Sequence, residues 1–184
     1  MKERSKTNLL VMTALMMGLI MVMTFIIRIP IPATQGYIHL GDCMIFLAVL
    51  VLGWKHGAIA AGVGSAMADL IGGYAIYAPV TLVVKFLMAA AVGLFIEKAL
   101  KKDFSRSGVT VMEIIGMCIG GIVMVAGYYV AEGIMYGNFI TPMASVPMNI
   151  LQFVVGAVIA TALSRVLAPT PAGKSFAYNL SGHK

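Results

Sequence analysis

Ionisable and aromatic side chains interrupt an otherwise apolar stretch between residues 64 and 85, GSAMADLIGGYAIYAPVTLVVK. An acid, Asp69, and a base, Lys85, stand here with Tyr74 and Tyr77 between them. An unpaired charge is costly in hydrocarbon, so ionisable residues at membrane depth indicate a functional site with a partner nearby. The alternative is a structural ion pair that only ties two helices together.

Further polar side chains interrupt two later apolar segments. Tyr128 and Glu132 are four residues apart and share one helical face, while Asn149 and Gln152 fall in the first turns of the last helix. Tyrosine rings stack on a flat heteroaromatic ligand, and amides offer both donors and acceptors. With Glu132 and Lys85 fixing charge or ring-nitrogen contacts, the pattern predicts a pocket for a small polar solute. For the tyrosines, the alternative is an aromatic belt at the membrane interface.

His39 and Asp42 stand three residues apart at the predicted start of a helix, and both belong to the substrate-binding candidates. This pair could also ligate a metal, but capping of the helix by Asp42 is the commoner explanation. The sequence contains no convincing metal cluster. We therefore predict no metal site and no cofactor.

The composition defines the class of protein that must position these residues. The chain has 184 residues, of which 60% are hydrophobic and 11% charged, and its mean hydropathy is +0.96. Such values indicate a multi-pass membrane protein with room for about six helices. The net charge of +6 comes from residues in connections and termini, so we expect the lipid bilayer and no nucleic acid as a partner.

The predicted fold is an all-α bundle of six transmembrane helices, at residues 8–27, 42–52, 58–71, 80–96, 110–134 and 147–167. A tight basic turn at residues 53–57 separates the second helix from the third, and prolines stop the first. The bundle forms one domain, 8–167, between a cytoplasmic N-terminus, 1–7, and a tail, 168–184, that we predict to be disordered.

The distribution of basic residues predicts the orientation. Six helices place both termini and the turns near Lys55 and Lys98 on one side, with eleven of the thirteen lysines and arginines, which makes it the cytoplasm. The polar candidates then gather in the outer half of the membrane, at depths compatible with a contact between Asp69 and Lys85. This asymmetry predicts capture of a solute from outside, rather than ion conduction through the full thickness.

Two segments carry a family resemblance: residues 36–42, GYIHLGD, and residues 64–85. Together with six short helices, they resemble the S components of energy-coupling factor (ECF) transporters, in the branch for riboflavin, hydroxymethylpyrimidine and pyridoxine-type compounds. The resemblance implies a protein that captures a vitamin or vitamin precursor and docks onto a transmembrane T subunit driven by two ATPase subunits. Hydroxymethylpyrimidine or a pyridoxine-like ring is favoured.

The resemblance also implies a docking face and a lid. Ala14 and Gly18 match the small-xxx-small docking pattern on helix 1, although tight packing inside the bundle uses the same chemistry. Residues 29–38 would form the lid over the ligand. The chain would not itself be an enzyme, since ATP hydrolysis belongs to its partners. The alternatives are a stand-alone secondary transporter and, less favoured, an intramembrane enzyme using Asp69, Glu132 and Lys85.

Overall fold

The computed structural model describes residues 5–31, 36–99, 106–171, 173 and 176–178. Within these ranges the long helices are α1 (Lys6–Ile26), α2 (Gly41–Ile71), α3 (Ala78–Ala99), α4 (Arg106–Tyr136) and α5 (Ser145–Leu167). Two short strands, β1 (Arg28–Pro30) and β2 (Tyr37–His39), lie between α1 and α2, and a 3-10 helix (Thr141–Ala144) precedes α5. Each long helix is apolar and long enough to cross a membrane.

The surface of the bundle is as apolar as its interior. Leu10, Ile122, Ile134, Val158 and Val166 leave between 64% and 72% of their surface exposed. Soluble proteins rarely expose large contiguous apolar patches, whereas lipid-facing helices must be apolar on their outer side. The predicted membrane class is therefore confirmed.

Helix α2 folds back on itself at Gly53. Within Gly41–Ile71 two helical stretches meet at a kink at Gly53, which has φ 78° and ψ 175°. These dihedrals are left-handed and suit glycine. A Cβ on Gly57 would lie 2.8 Å from the Cα of Val49, eight residues earlier, which a straight helix does not allow. The break lies at the first residue of the predicted turn.

Glycines on the second half of α2 bring neighbouring helices into close contact. A Cβ on Gly62 would lie 2.8 Å from the carbonyl oxygen of Leu82 in α3, and one on Gly64 2.7 Å from that of Met17 in α1. Small residues permit this approach of backbones in membrane bundles. Both contacts place the second half of α2 between α1 and α3.

The two strands form an antiparallel hairpin, which is a feature that the all-α prediction did not include. Ile29 pairs with Ile38, and Pro30 pairs with Tyr37. Proline lacks the backbone N–H and is tolerated at the edge of so small a sheet. Its strands include residues 29, 30, 37 and 38 of the predicted lid segment, of which residues 32–35 lie outside the described residues, and they lie where α1 ends and α2 begins.

Part of the C-terminal tail packs against the bundle. The N–H of Ala177 donates to the Leu50 carbonyl at 2.9 Å, and the Tyr178 hydroxyl donates to the Gly93 carbonyl at 3.0 Å. Burial, the largest cause, raises the pKa of Tyr178 to about 12. The prediction of a disordered tail is therefore wrong for residues 176–178, because the break at Gly53 leaves a helix carbonyl free to accept a bond from the tail.

Candidate functional site

A cavity lies beneath the hairpin, where the second half of α2 ends, α3 begins, α4 ends and α5 begins. In this closed form the space that a water-sized sphere can occupy is about 30 Å³, which is smaller than a typical small-molecule site, so the cavity must widen to admit a ligand. The lining residues are Ile31, Gly36, Tyr37, His39, Asp69, Tyr77, Thr81, Tyr128, Glu132, Asn149 and Gln152. We call this space the hairpin cavity.

Seven of the ten substrate-binding candidates line the hairpin cavity, namely His39, Asp69, Tyr77, Tyr128, Glu132, Asn149 and Gln152. Three candidates, Asp42, Tyr74 and Lys85, are not among the lining residues. Four lining residues, Ile31, Gly36, Tyr37 and Thr81, were not predicted. That these residues bind a ligand stays a prediction.

Asp69 meets Tyr37, not Lys85. The Tyr37 hydroxyl donates to Oδ1 of Asp69 at 2.5 Å, while the other carboxylate oxygen, Oδ2, is buried without a hydrogen-bond partner. Burial first, and then the Asp69 carboxylate, raise the pKa of Tyr37 above its usual value. The ring of Tyr74 packs against Tyr37 with their centroids 4.4 Å apart, so Tyr74 supports the wall of the cavity from behind.

Tyr37 is the main site residue that sequence reasoning missed. It stood inside the GYIHLGD segment, two residues before His39. Alternate residues of a strand point to the same face, so a strand prediction over residues 37–39 would have placed both side chains together. Their ring centroids are indeed 5.5 Å apart.

Lys85 forms a buried ion pair with Asp42. Nζ lies 2.5 Å from Oδ1 of Asp42, and neither side chain is exposed. Nζ also lies 2.9 Å from the sulfur of Met124. Two predictions are therefore wrong: Lys85 does not pair with Asp69, and Asp42 is not a helix cap. The cause is the fold-back of α2, which brings its first turn beside α3.

Gln152 connects this ion pair to the hairpin. Its Nε2 donates to Oδ2 of Asp42 at 2.9 Å, and its Oε1 accepts the backbone N–H of His39 at 2.9 Å. A carboxylate can only accept a hydrogen bond and an N–H can only donate one. These two partners therefore identify which atom of the Gln152 amide is the nitrogen and which is the oxygen. The pair under the cavity thereby fixes the position of β2.

His39 is a neutral imidazole. Nδ1 accepts the N–H of Gly41 at 3.0 Å, so the proton of the neutral ring is on Nε2. Burial, followed by the positive charge of Lys85, lowers its pKa to about 3. Because Nδ1 of His39 and the carboxylate of Asp42 are both engaged, this pair is not a metal site. Among the described residues, no group of three or more His, Cys, Asp and Glu side chains could hold a metal.

Glu132 lies at the centre of a second polar cluster. Oε1 accepts the Tyr77 hydroxyl at 3.3 Å, and Oε2 accepts the Ser145 hydroxyl at 2.7 Å. The hydroxyls of Tyr77 and Tyr136 are 2.6 Å apart, and Tyr128 donates to Thr81 at 3.2 Å. The predicted shared face of α4 is thereby confirmed.

The burial of the tyrosines argues against an interfacial belt. Only 4% of Tyr77 and 9% of Tyr128 is exposed. Rings of an interfacial belt lie at the headgroup level on the outside of a bundle. These two rings instead face the interior, where they form a wall of the hairpin cavity.

Arg28 holds the hairpin against the end of α2. Its guanidinium donates to the carbonyls of Gly72 at 3.2 Å and Ala68 at 3.3 Å, and it lies over the rings of Phe25 and Tyr37. The carbonyl groups at the end of a helix favour a nearby cation. The sequence placed Arg28 at the end of helix 1 but did not predict this contact.

The predicted docking positions lie on the outside of α1. Ala14 is exposed, and a Cβ on Gly18 would meet nothing within 4 Å. The opposite side of the same helix, with Thr13, Met16 and Ile20, is buried. Packing inside the bundle, which was the alternative explanation, is therefore wrong for these two residues. Docking itself stays a prediction.

Comparison with known sequences places the chain among membrane transporters. A family model described as the S component of the ECF-type riboflavin transporter matches residues 4–169. The thiamine precursor transporter HmpT of Lactococcus lactis subsp. cremoris (strain MG1363) is 30% identical over 165 residues, which cover 89% of this chain and 87% of HmpT. An uncharacterized protein of Pyrococcus woesei is 40% identical over 146 residues, which cover 79% of this chain and 92% of that protein.

Solved structures agree with this placement. The S component of a bacterial ECF transporter is similar with a TM-score of 0.68 and 24% identity, over 90% of this chain and 98% of that one. The S component for biotin from an ECF-type ABC transporter gives a TM-score of 0.58 and 20% identity, over 90% of this chain and 95% of that one. At these identities the similarity concerns the fold.

Proposed function

The chain belongs to the family of ECF-type riboflavin transporter S components, and from this premise we propose that it captures a small vitamin or vitamin precursor in the hairpin cavity. Its family and its apolar helices make it a multi-pass protein of the cell membrane. The observation that carries the proposal is the cavity itself, which joins buried tyrosine rings with carboxylates and amides beneath a hairpin.

The favoured ligand is hydroxymethylpyrimidine or a pyridoxine-like ring. The relative HmpT is named as a thiamine precursor transporter, which supports a pyrimidine precursor. Tyr77 and Tyr128 offer ring faces to a flat heterocycle, and Asn149 adds an amide. Lys85 is not assigned a ligand contact, since Asp42 neutralises it below the cavity.

The proposed topology has six membrane crossings and both termini in the cytoplasm. The break at Gly53 supports two crossings within α2, and six crossings return the chain to its starting side. The basic residues then collect on that side, in agreement with the positive-inside rule. The hairpin cavity would accordingly open to the outside.

The hairpin would act as the lid of the cavity. Tyr37 bonds to Asp69, and Arg28 bonds to the last carbonyls of α2, so two contacts hold the hairpin closed. Opening breaks a few hydrogen bonds without disturbing a helix. The ligand would enter while these contacts are open and be enclosed when they form again.

Transport would require the ECF partners. The exposed face around Ala14 and Gly18 would dock onto the transmembrane T subunit, and two separate ATPase subunits would drive release inside. In this proposal the chain binds and delivers its ligand and performs no chemistry on it. A secondary transporter would move the ligand without these subunits, and an enzyme would convert it.

The test is a binding screen of the purified protein against B vitamins and their precursors, by native mass spectrometry or thermal shift. One tight ligand that is recovered unchanged would support the proposal, and the appearance of a product would contradict it. Glu132→Gln and Asn149→Ala should each weaken binding at least about tenfold, as expected for lost buried hydrogen bonds. Ser164→Ala is a matched control, because this buried hydroxyl lies fifteen residues beyond Asn149 on α5. Unchanged affinity in both site variants would remove these residues from the binding site.

A further inference from the structure

The charges that line the hairpin cavity are all negative. Asp69 and Glu132 are its two lining carboxylates, and no lysine or arginine occurs among its described lining residues. Histidine can also carry a positive charge, but His39, which lines the cavity, is a neutral imidazole. Residues 32–35 of the connection between the strands are Pro, Ala, Thr and Gln, which add no cation.

The two cations nearest the cavity are already engaged. Lys85 is fully buried against Asp42 and Met124, and Arg28 is bound to the carbonyls of Ala68 and Gly72. Moving either cation towards a ligand would leave buried partners without their bonds, which is strongly unfavourable. An anionic ligand would therefore meet two carboxylates and no free counter-charge.

The two carboxylates differ in whether their oxygens already accept hydrogen bonds. Both oxygens of Glu132 accept bonds, from Tyr77 and Ser145. Asp69 is only 3% exposed, and one of its oxygens, Oδ2, has no partner that meets hydrogen-bond geometry, although the Thr81 hydroxyl lies nearby. A buried acceptor of this kind is costly until a donor reaches it.

Building on the proposed function, we propose that Oδ2 of Asp69 binds the amino group of an uncharged or cationic aminoheterocycle, and that the cavity rejects phosphate esters and carboxylic acids. An aromatic amine carries its N–H bonds in the plane of the ring. The same ligand can therefore place its face on a tyrosine ring and its edge on Asp69. A phosphate ester would bring nearly two negative charges beside Asp69 and Glu132.

The first experiment tests rejection of charge. Isothermal titration of the purified full chain at about pH 7 compares hydroxymethylpyrimidine with its phosphate ester and with its uncharged acetate ester, which controls for added size. The phosphate ester should bind at least about 100-fold more weakly than the free alcohol, and clearly more weakly than the acetate ester. Equal affinity of the two esters would overturn the rejection of anions, because size alone would explain the loss.

The second experiment tests recognition of the amino group. The analogue with hydrogen in place of the amino group should bind the wild-type protein at least about tenfold more weakly. The ratio of the two dissociation constants, analogue over amino compound, should fall in Asp69→Asn to less than about a third of its wild-type value. Ser164→Ala is the control, and the ratio should stay unchanged there because Ser164 is buried on α5 and is not among the residues that line the cavity.

The outcomes separate this inference from the proposed function. If the free alcohol binds but the ratio for the amino group is the same in wild type and Asp69→Asn, the assignment to Asp69 is wrong while vitamin capture stands. Tighter binding of pyridoxine, which has no amino group, would also overturn it. If no vitamin or precursor binds at all, the proposed function fails together with the inference.

Discussion

Replacing Lys85 by methionine tests whether the buried ion pair supports the hairpin cavity without touching the ligand. Neither Lys85 nor Asp42 is exposed, and their charged atoms are 2.5 Å apart. Methionine keeps the unbranched stem of lysine and removes the ammonium group. Asp42 would then retain only the Gln152 amide, and an uncompensated buried charge costs about 3–5 kcal/mol.

Four proteins complete the experiment: wild type, Lys85→Met, Asp42→Asn and the double variant. At roughly 2–4 °C per kcal/mol for a chain of this size, each single variant should unfold about 6–20 °C below wild type. The double variant carries no charge at positions 42 and 85, and the side-chain carbonyl of the introduced asparagine can still accept the Gln152 amide. We expect it within about 2 kcal/mol of wild type, because uncharged replacements of buried pairs are often nearly neutral.

Thermal unfolding in detergent and ligand titration of the same four proteins give the answer. Since neither residue of the pair lines the cavity, the double variant should bind within about threefold of wild type. A double variant that is stable but no longer binds would refute our reasoning and show that Lys85 touches the ligand. A double variant destabilised by the sum of the two single effects would show that the two charges do not depend on each other.

Three further predictions concern the lid, the pH dependence and the docking face. Arg28→Lys keeps the charge but loses the forked contact with two carbonyls, so the ligand should dissociate about fivefold faster in stopped-flow measurements; an unchanged rate would mean that Arg28 does not hold the lid. The pKa of His39 is about 3 in the folded protein and about 6.5 in the unfolded chain, so the unfolded state binds the extra proton between these values and stability falls as the pH falls. Unfolding at pH 5.5 should therefore cost about 1.4 kcal/mol less free energy than at pH 8, and His39→Asn should lack this part of the slope; a wild-type slope in the variant would contradict the assignment. Gly18→Leu should abolish uptake and co-purification with the T subunit while ligand binding persists, and lost binding would indicate a role within the bundle.

Composition and local pattern were sufficient for much of the fold. Apolar runs predicted the positions of the long apolar helices that the described residues form, because a lipid environment demands about 20 consecutive apolar residues for each crossing. The turn around residues 53–57 was visible as glycines next to basic residues, and Gly53 does break α2. The hairpin was not predicted, since three-residue strands are too short for a period-two pattern to show.

The sequence was a better guide to which residues belong to the candidate site than to which of them contact one another. Polar residues inside apolar helices are conspicuous, so Asp69, Glu132 and Gln152 could be selected one by one. Tyr37 was missed because a tyrosine in a connecting segment carries no such signal. The predicted partner of Lys85 was wrong because it was chosen by depth in the membrane. Depth restricts a contact along one axis only, and both Asp42 and Asp69 lie at a suitable depth.

The amino-acid sequence alone was enough to show that this chain spans a membrane, that its family is that of ECF S components, and which polar residues lie near one end of the bundle. Those properties follow from hydropathy and local motifs, which act over a few helical turns. The contacts of the folded chain were needed to show that Asp42 neutralises Lys85, that Tyr37 and Arg28 hold the hairpin on α2, and that one oxygen of Asp69 has no donor within hydrogen-bond geometry. These contacts join residues 32 to 44 positions apart, and they depend on how the helices rotate and fold back on one another. Rotation of that kind is set by packing across the whole bundle, which no local pattern encodes.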